Sequence, residues 1–145
     1  MTKTTIALAA DHGGVELKEI LREDLDRDGY QTLDLGTHGP ASVDYPDYAD
    51  ALAEALKRGQ ADKGIIICGS GIGISIAINR HRHIRAALCT SGLMARLARA
   101  HNDANVLALG GRIVGIETAR DCLNEFLKTP FDGGRHARRV AKFSN

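Results

Sequence analysis

The chain has 145 residues, of which 43% are hydrophobic and 26% are charged, and its formal net charge is +1. These values are typical of one globular domain with a single core, and they exclude a strongly basic nucleic-acid-binding protein. Three cysteines without close spacing argue against a disulfide framework, and no segment has the pattern of a signal peptide or membrane span. We therefore expect a soluble, cytoplasmic protein without a nucleic-acid or membrane partner.

Five apolar runs predict buried strands, and each is followed by apolar residues at helical spacing. Glycines end the first two helices, at Gly29 and Gly59, and Thr90 or Ser91 is a candidate cap for a later helix. The last helix is expected to end at Thr129-Pro130. The predicted strands cover residues 5–10, 32–35, 64–68, 84–89 and 105–109.

Continuous apolar strands that alternate with helices are typical of a parallel sheet covered on both faces. We therefore expect an α/β fold with a five-stranded parallel sheet. In such folds the ligand binds beyond the carboxyl ends of the strands, so the residues at those ends are the first candidates for a site. They are Asp11-His12, residues 68–73, Cys89-Thr90 and residues 110–112.

The third strand delivers Cys68 into the glycine-rich turn Gly69-Ser70-Gly71-Ile72-Gly73. Backbone amides in such a turn can bind an anion or a developing oxyanion. The third glycine of a dinucleotide-binding loop falls on Ile74, and no Lys-Ser/Thr follows as in a nucleoside-triphosphate loop, so both of those sites are disfavoured. The simpler alternative is a buried, inert cysteine beside glycines needed for packing.

Two polar clusters admit both a functional and a structural interpretation. Asp11-His12 can bind sugar hydroxyls or phosphate, or it can be a helix cap with a solvated histidine. Residues 101–105, His-Asn-Asp-Ala-Asn, can hold a histidine in one tautomer for proton transfer, or they can simply form a turn.

The basic tail carries Arg135 and Arg139, which are four residues apart and share a face if the tail is helical. Guanidinium groups suit phosphate, although a solvated basic end is the commoner meaning of such a run. His81-Arg82-His83 has no third ligand at a metal spacing, so we treat it as a surface turn and predict no metal site. Cys89 and Cys122 are expected to be structural.

Five motifs in matching order closely resemble the type B ribose-5-phosphate isomerases, a family that includes galactose-6-phosphate and allose-6-phosphate isomerases. The resemblance covers essentially the full chain, and the combination is far more specific than any single motif. The motifs are Ala10-Asp11-His12-Gly13-Gly14, Asp44-Tyr45-Pro46, the segment 67–75, the segment 101–105 and Gly134-Arg135-His136.

The resemblance implies a Rossmann-like three-layer αβα sandwich formed by a single domain over residues 1–145. It also implies a homodimer or tetramer with active sites shared between subunits, and a basic tail, residues 133–145, that reaches the partner. The implied activity is cofactor-free aldose–ketose isomerisation of a sugar phosphate through an enediolate. D-ribose 5-phosphate is the favoured substrate.

The resemblance also implies roles for residues around the glycine-rich turn. Cys68 takes the position of the base that moves a proton between C1 and C2. Ser70, where many relatives carry threonine, keeps a hydroxyl that can shuttle a proton between O1 and O2. The enediolate oxygens would be held by backbone amides, those of Gly69, Gly71, Ile72 and Gly73 included.

Ring opening and binding are assigned by the same resemblance. His101 would open the furanose ring with Tyr45 nearby, and Asp11 and Asn102 would contact sugar oxygens. The residues implied in phosphate binding are His12, Arg112, Arg135 and Arg139.

Three alternatives to a ribose 5-phosphate isomerase remain open. The chain can act on another aldose phosphate with four or six carbons, and the loop 36–44 is a candidate for setting the accepted length. It can also be a non-catalytic phosphate-binding module, in which Cys68 only packs. A redox-sensing role for Cys68 is the third alternative.

Overall fold

The computed structural model describes residues 3–144, in which strands and helices alternate along the chain as the sequence predicts. The elements are β1 (Thr5–Ala10), α1 (Val15–Arg27), β2 (Gln31–Asp34), α2 (Tyr45–Lys57), β3 (Lys63–Cys68), α3 (Ile72–Ile78), β4 (Ala86–Leu88), α4 (Gly92–Asn102), β5 (Val106–Gly110), α5 (Ile116–Lys128) and α6 (Arg135–Ala141).

The five strands form one parallel sheet in the order β2-β1-β3-β5-β4. One apolar core lies between the sheet and α1, α4 and α5, and a second lies between the sheet and α2 and α3. The predicted three-layer α/β fold is therefore confirmed. The order of the strands reverses between β1 and β3, and a crevice at such a switch point is the usual ligand site of this fold.

The predicted ends of several helices are confirmed. Gly29 and Gly59 follow α1 and α2 with positive φ angles of 93° and 72°, a conformation that glycine adopts without steric cost. Of the two candidate caps for α4, Ser91 is the one used, because its Oγ accepts a hydrogen bond of 3.2 Å from the Met94 amide.

The fourth strand is shorter than predicted and spans only Ala86–Leu88. It is an edge strand that pairs only with β5. The apolar run at residues 84–89 is therefore longer than the strand that it forms. At its start, side-chain hydrogen bonds supplement the backbone pairing. Asn105 Oδ1 accepts from the Arg85 amide at 2.7 Å, and Asn105 Nδ2 donates to the His83 carbonyl at 2.9 Å. Strand β5 begins at Val106, one residue after the predicted start at Asn105.

The tail has more structure than its composition suggested. Residues 135–141 form α6, and Val140 is buried to 9% exposure as its apolar anchor. Ser144 Oγ accepts a 2.7 Å hydrogen bond from Arg85 Nη1, which fixes the end of the tail to the body of the domain. Asn145 of the predicted tail lies outside the described residues.

The histidines of the turn after α3 contact α2. His81 Nε2 lies 2.8 Å from Asp50 Oδ1, and His83 Nε2 lies 2.8 Å from the Ala53 carbonyl oxygen. The surface turn predicted here is thus a structural connection between two helices. Within residues 3–144, none of the helices has both the length and the apolar character needed to cross a membrane.

Candidate active site

The glycine-rich turn between β3 and α3 is shaped by one glycine in a left-handed conformation. Gly71 has φ = 78°, and a Cβ atom there would lie 2.6 Å from Leu88 Cδ1 and 2.8 Å from the Leu109 carbonyl carbon. Only glycine fits this position. The turn therefore folds back over the end of β3 and directs the Gly71 amide toward Cys68.

The Cys68 thiol lies inside this turn. The Gly71 amide donates a hydrogen bond of 3.2 Å to Cys68 Sγ. Ser70 Oγ accepts a 3.1 Å hydrogen bond from the Ile72 amide, which leaves the Ser70 hydroxyl proton available for donation. A thiol and a hydroxyl thus lie in one short turn.

The other two cysteines are buried, as Cys68 is, but they lie in the core on the opposite face of the sheet. Cys89 and Cys122 are buried in the core formed by α1, α4 and α5. Burial raises the pKa of the Cys89 thiol to about 12, with a contribution from Cys122, and burial together with Asp121 raises the pKa of Cys122 to about 11. Neither thiol forms a thiolate near neutral pH. The interpretation of both residues as structural is consistent with this placement.

Asp11, His12 and Gly13 lie beside the turn because β1 and β3 are neighbours. The Asp11 amide donates to the Ile67 carbonyl at 3.2 Å, and a Cβ atom at Gly13 would lie 3.0 Å from the Gly69 nitrogen. Asp11 is not the cap of α1: its Oδ1 instead accepts a 2.9 Å hydrogen bond from the Gly13 amide. The predicted convergence of Asp11-His12 with Cys68 is confirmed.

His12 is oriented by the loop that follows β2. The Val43 amide donates a 3.2 Å hydrogen bond to His12 Nδ1, so Nδ1 is an acceptor and the proton of the neutral ring is on Nε2. This fixes which nitrogen can donate to a ligand. Sequence analysis missed Val43, because a backbone amide leaves no signal in the residue type.

Arg112 and Tyr45 lie against two glycines of the turn. The Arg112 amide donates to the Gly69 carbonyl at 2.9 Å, and a Cβ atom at Gly69 would lie 3.3 Å from Arg112 Nη1. A Cβ atom at Gly73 would lie 2.6 Å from Tyr45 Cζ. Arg112 and His12 also line a cleft of about 380 Å³ beside the turn. This cleft has two side chains suited to phosphate.

Four predicted site residues lie at the opposite edge of the sheet: His101, Asn102, Arg135 and Arg139. The 11 residues of α4 carry the chain from the carboxyl edge back to the start of β5, and His101 and Asn102 end that helix. At a rise of about 1.5 Å per residue, α4 separates the two edges by roughly 15 Å. The structure does not bring His101 and Cys68 together within one chain.

At that distant edge, His101 and His136 form a stacked pair. Their ring centroids are 4.4 Å apart and their planes are 9° from parallel. Asn102 lines a cleft of about 560 Å³ with Arg85, Lys142 and Phe143. Sequence analysis noted His136 within a motif but gave it no role, since nothing in the spacing places it against His101.

Comparison with known proteins gives consistent results. Residues 6–143 match the family model described as Ribose/Galactose Isomerase. The chain is 44% identical over 135 residues to ribose-5-phosphate isomerase B of Escherichia coli, covering 93% of this chain and 91% of that protein.

Two solved structures are similar along almost their whole length. Ribose-5-phosphate isomerase B of Clostridium thermocellum is 53% identical with a TM-score of 0.95, and the match covers 96% of this chain and 94% of that one. The Thermotoga maritima ribose 5-phosphate isomerase is 50% identical with a TM-score of 0.96, and the match covers 99% of both chains.

Proposed function

The chain belongs to the ribose/galactose isomerase family, and we propose that it interconverts D-ribose 5-phosphate and D-ribulose 5-phosphate with Cys68 as the base. It is an isomerase of sugar phosphates, as its relatives of 40–50% identity are named. The assignment of roles to individual side chains is supported by the geometry at the end of β3.

The position of Cys68 is the observation that carries the proposal. A hydrogen on the carbon beside a carbonyl is weakly acidic, so its removal needs both a base and stabilisation of the charge that develops on oxygen. Cys68 Sγ accepts from the Gly71 amide inside a turn of backbone donors. The thiolate removes the proton from C2 of the aldose and returns it to C1, and the turn's amides bind the enediolate oxygens.

Ser70 and the phosphate-binding residues complete this half of the site. Ser70 keeps its hydroxyl proton for exchange between O1 and O2, because its Oγ accepts from the Ile72 amide. His12 Nε2 and the Arg112 guanidinium bind the phosphate, and Asp11 contacts a sugar hydroxyl. Binding the phosphate at a distance from C1 and C2 supplies energy that positions the reacting carbons.

We further propose that a second copy of the chain supplies the other half. His101 opens the sugar ring, Asn102 contacts its oxygens, and Arg135 and Arg139 bind the phosphate, all from the partner subunit. The separation of roughly 15 Å between the two edges, estimated from the rise of α4, supports this division. The proposed assembly is a homodimer, alone or paired into a tetramer.

Exposed apolar side chains support a partner at the edge strand. Helices α3 and α4, which flank β4 in the chain, expose five large side chains by more than a third each. Exposed apolar side chains of this size are typical of an interface between subunits. The residues are Ile72, Ile76, Leu93, Met94 and Leu97.

Cofactor-free chemistry and a cytoplasmic location are also part of the proposal. The enediolate mechanism transfers protons only, so it requires no electron acceptor. The three cysteines are free thiols, which is the usual state in a reducing compartment.

The test is conversion of D-ribose 5-phosphate to D-ribulose 5-phosphate by the purified protein without added metal. Cys68→Ala is expected to lower kcat at least a thousand-fold while sugar-phosphate binding persists, because only the base is removed. Cys89→Ala is the matched control, since that thiol is buried away from the site and its loss leaves kcat unchanged.

Two results would contradict parts of the proposal. Full turnover by folded Cys68→Ala moves the base to another residue. No turnover by the parent on ribose 5-phosphate, with turnover on allose 6-phosphate, galactose 6-phosphate or a tetrose phosphate, changes the substrate. Failure on all of these favours a phosphate-binding module.

A further inference from the structure

Three possible metal ligands converge at the edge of the sheet distant from Cys68. His101 is on the last turn of α4, His136 is on the first turn of α6, and Asp132 is in the loop that precedes α6. One ligand atom from each of the three lies within 4.8 Å of the other two. His101 is about thirty residues before the other two ligands in the sequence, so no spacing motif indicates the cluster.

Backbone hydrogen bonds hold these residues beside one another. The Asp132 amide donates to the Ala100 carbonyl at 3.0 Å, directly before His101 in the chain. The His136 amide donates to the Gly133 carbonyl at 3.0 Å, which starts α6 over the same point. These hydrogen bonds hold the backbone of Asp132 and His136 in place beside the end of α4.

The charges around the cluster are mixed, because Arg135 and Arg139 act on His136 electrostatically while Asp132 supplies a carboxylate. Among residues 3–144, no Lys or Arg forms a salt bridge with Asp132. No salt bridge of the described residues therefore competes with a metal ion for this carboxylate.

A second cluster of possible metal ligands already has a lysine ammonium group next to its carboxylates. Glu19, Asp34 and His38 also lie within 4.8 Å of one another. There the ammonium of Lys18 lies 2.7 Å from Asp34 and 3.2 Å from Glu19, where a metal ion would have to displace it. No such lysine occupies the position between His101, Asp132 and His136 in the described structure.

We propose that His101, Asp132 and His136 bind one Zn²⁺ ion, or a similar divalent transition-metal ion, and that this ion inhibits the enzyme rather than serving it. Two imidazoles and one carboxylate are a donor set that suits zinc, with a fourth position open to water. Bonds of about 2.0–2.2 Å require ligand atoms roughly 3.3 Å apart, so the side chains close by about 1.5 Å or less.

Inhibition rests on the proposed function, in which His101 opens the sugar ring. A nitrogen of His101 that is bound to zinc has no lone pair for that proton transfer. Substrate and zinc compete for the same side chain, so a higher substrate concentration raises the zinc concentration needed for half-inhibition. Zinc binding itself does not depend on the activity.

Binding is measured first, by calorimetric titration of metal-free protein with ZnCl₂. The Cys68→Ser background is used because a thiolate also binds zinc. One ion per chain is expected, and adding Asp132→Asn weakens binding at least ten-fold. His38→Gln in the same background is the matched control and leaves zinc binding unchanged. MgCl₂ gives no heat, since histidine is a poor ligand for magnesium.

Activity is measured second, with Cys68 intact. Zinc inhibits the parent, and Asp132→Asn keeps the parent's basal turnover while needing at least ten times more zinc for half-inhibition. No zinc binding in the Cys68→Ser background, or equal binding with and without Asp132→Asn, overturns the proposed site. Binding without any turnover in the parent overturns the proposed function and leaves the site standing.

Discussion

The ammonium group of Lys18 is fully buried and lies 2.7 Å and 2.8 Å from the two carboxylate oxygens of Asp34. Lys18 belongs to α1, and Asp34 is the last residue of β2. Asp34 Oδ1 also accepts a 3.0 Å hydrogen bond from the Gly36 amide. The pair therefore fixes the start of the loop whose Val43 amide orients His12.

Lys18→Met is expected to reduce the free energy of unfolding by about 2 kcal/mol, because it leaves a partly buried carboxylate without its partner. Urea unfolding at equal chain concentration measures this. Arg22→Met is the matched control: its ion pairs with Glu19 and Asp26 are exposed, and losing them costs less than about 1 kcal/mol.

The double variant Lys18→Met, Asp34→Asn tests the physical cause. An amide at position 34 carries no charge and still accepts from the Gly36 amide, so we expect at least half of the lost stability to return. Equal losses in the single and double variants would show that packing of the lysine stem, and not the charge pair, carries the effect.

The orientation of His12 predicts different effects for its two amide replacements. A glutamine side chain places its NH₂ near the position of Nε2, whereas asparagine reaches only the position of Nδ1. His12→Asn is expected to raise KM for the sugar phosphate about ten-fold with kcat little changed, as for loss of a hydrogen bond to a charged group. His12→Gln raises KM less, and the reverse order would place Nδ1 toward the phosphate.

A mixing experiment tests the shared site. Cys68→Ala and His101→Ala each impair every site in their own homodimers. If the two residues act across the interface, random mixing restores about a quarter of the parent's sites, because half of the dimers are mixed and each has one intact site. Residues acting within one chain give no recovery, and the activity of unmixed samples is the baseline.

Thiol labelling separates the three cysteines. At pH 8, iodoacetamide is expected to modify Cys68 and abolish turnover, and substrate protects it. Cys89 and Cys122 stay unmodified in the folded protein, because burial holds their pKa values at about 12 and about 11. Peptide mass spectrometry identifies the labelled residue, and labelling of Cys89 before Cys68 would contradict this assignment.

The half of the site around Cys68 was predictable from sequence. Parallel strands end at one edge, so a chain with strands ending at Asp11 and Cys68 brings both to the same crevice if the strands are neighbours. The sheet order makes them neighbours. The glycine at position 71 was equally visible in the sequence, although the contacts that require it come from Leu88 and Leu109.

Other features could not be predicted because they depend on contacts between distant segments. A lysine within an amphipathic helix pattern is expected at the surface, yet Lys18 is buried because Asp34 lies opposite it across α1 and β2. The contact of the Val43 amide with His12 and the approach of Asp132 to His101 both depend on backbone hydrogen bonds. The residue types at these positions do not indicate such bonds. The short β4 likewise reflects its place at the edge of the sheet.

The two edges of the sheet carry different halves of the proposed chemistry, and this has a consequence for how the enzyme is made and how it evolves. If the proposed shared site is correct, a single chain is inactive, and specific activity falls when the protein is diluted below the dissociation constant of the dimer. On the same proposal, a substitution in the tail of one chain alters the reaction at the site that it shares with its partner. In a cell that makes two variants of the chain, mixed dimers would then combine the defects of both.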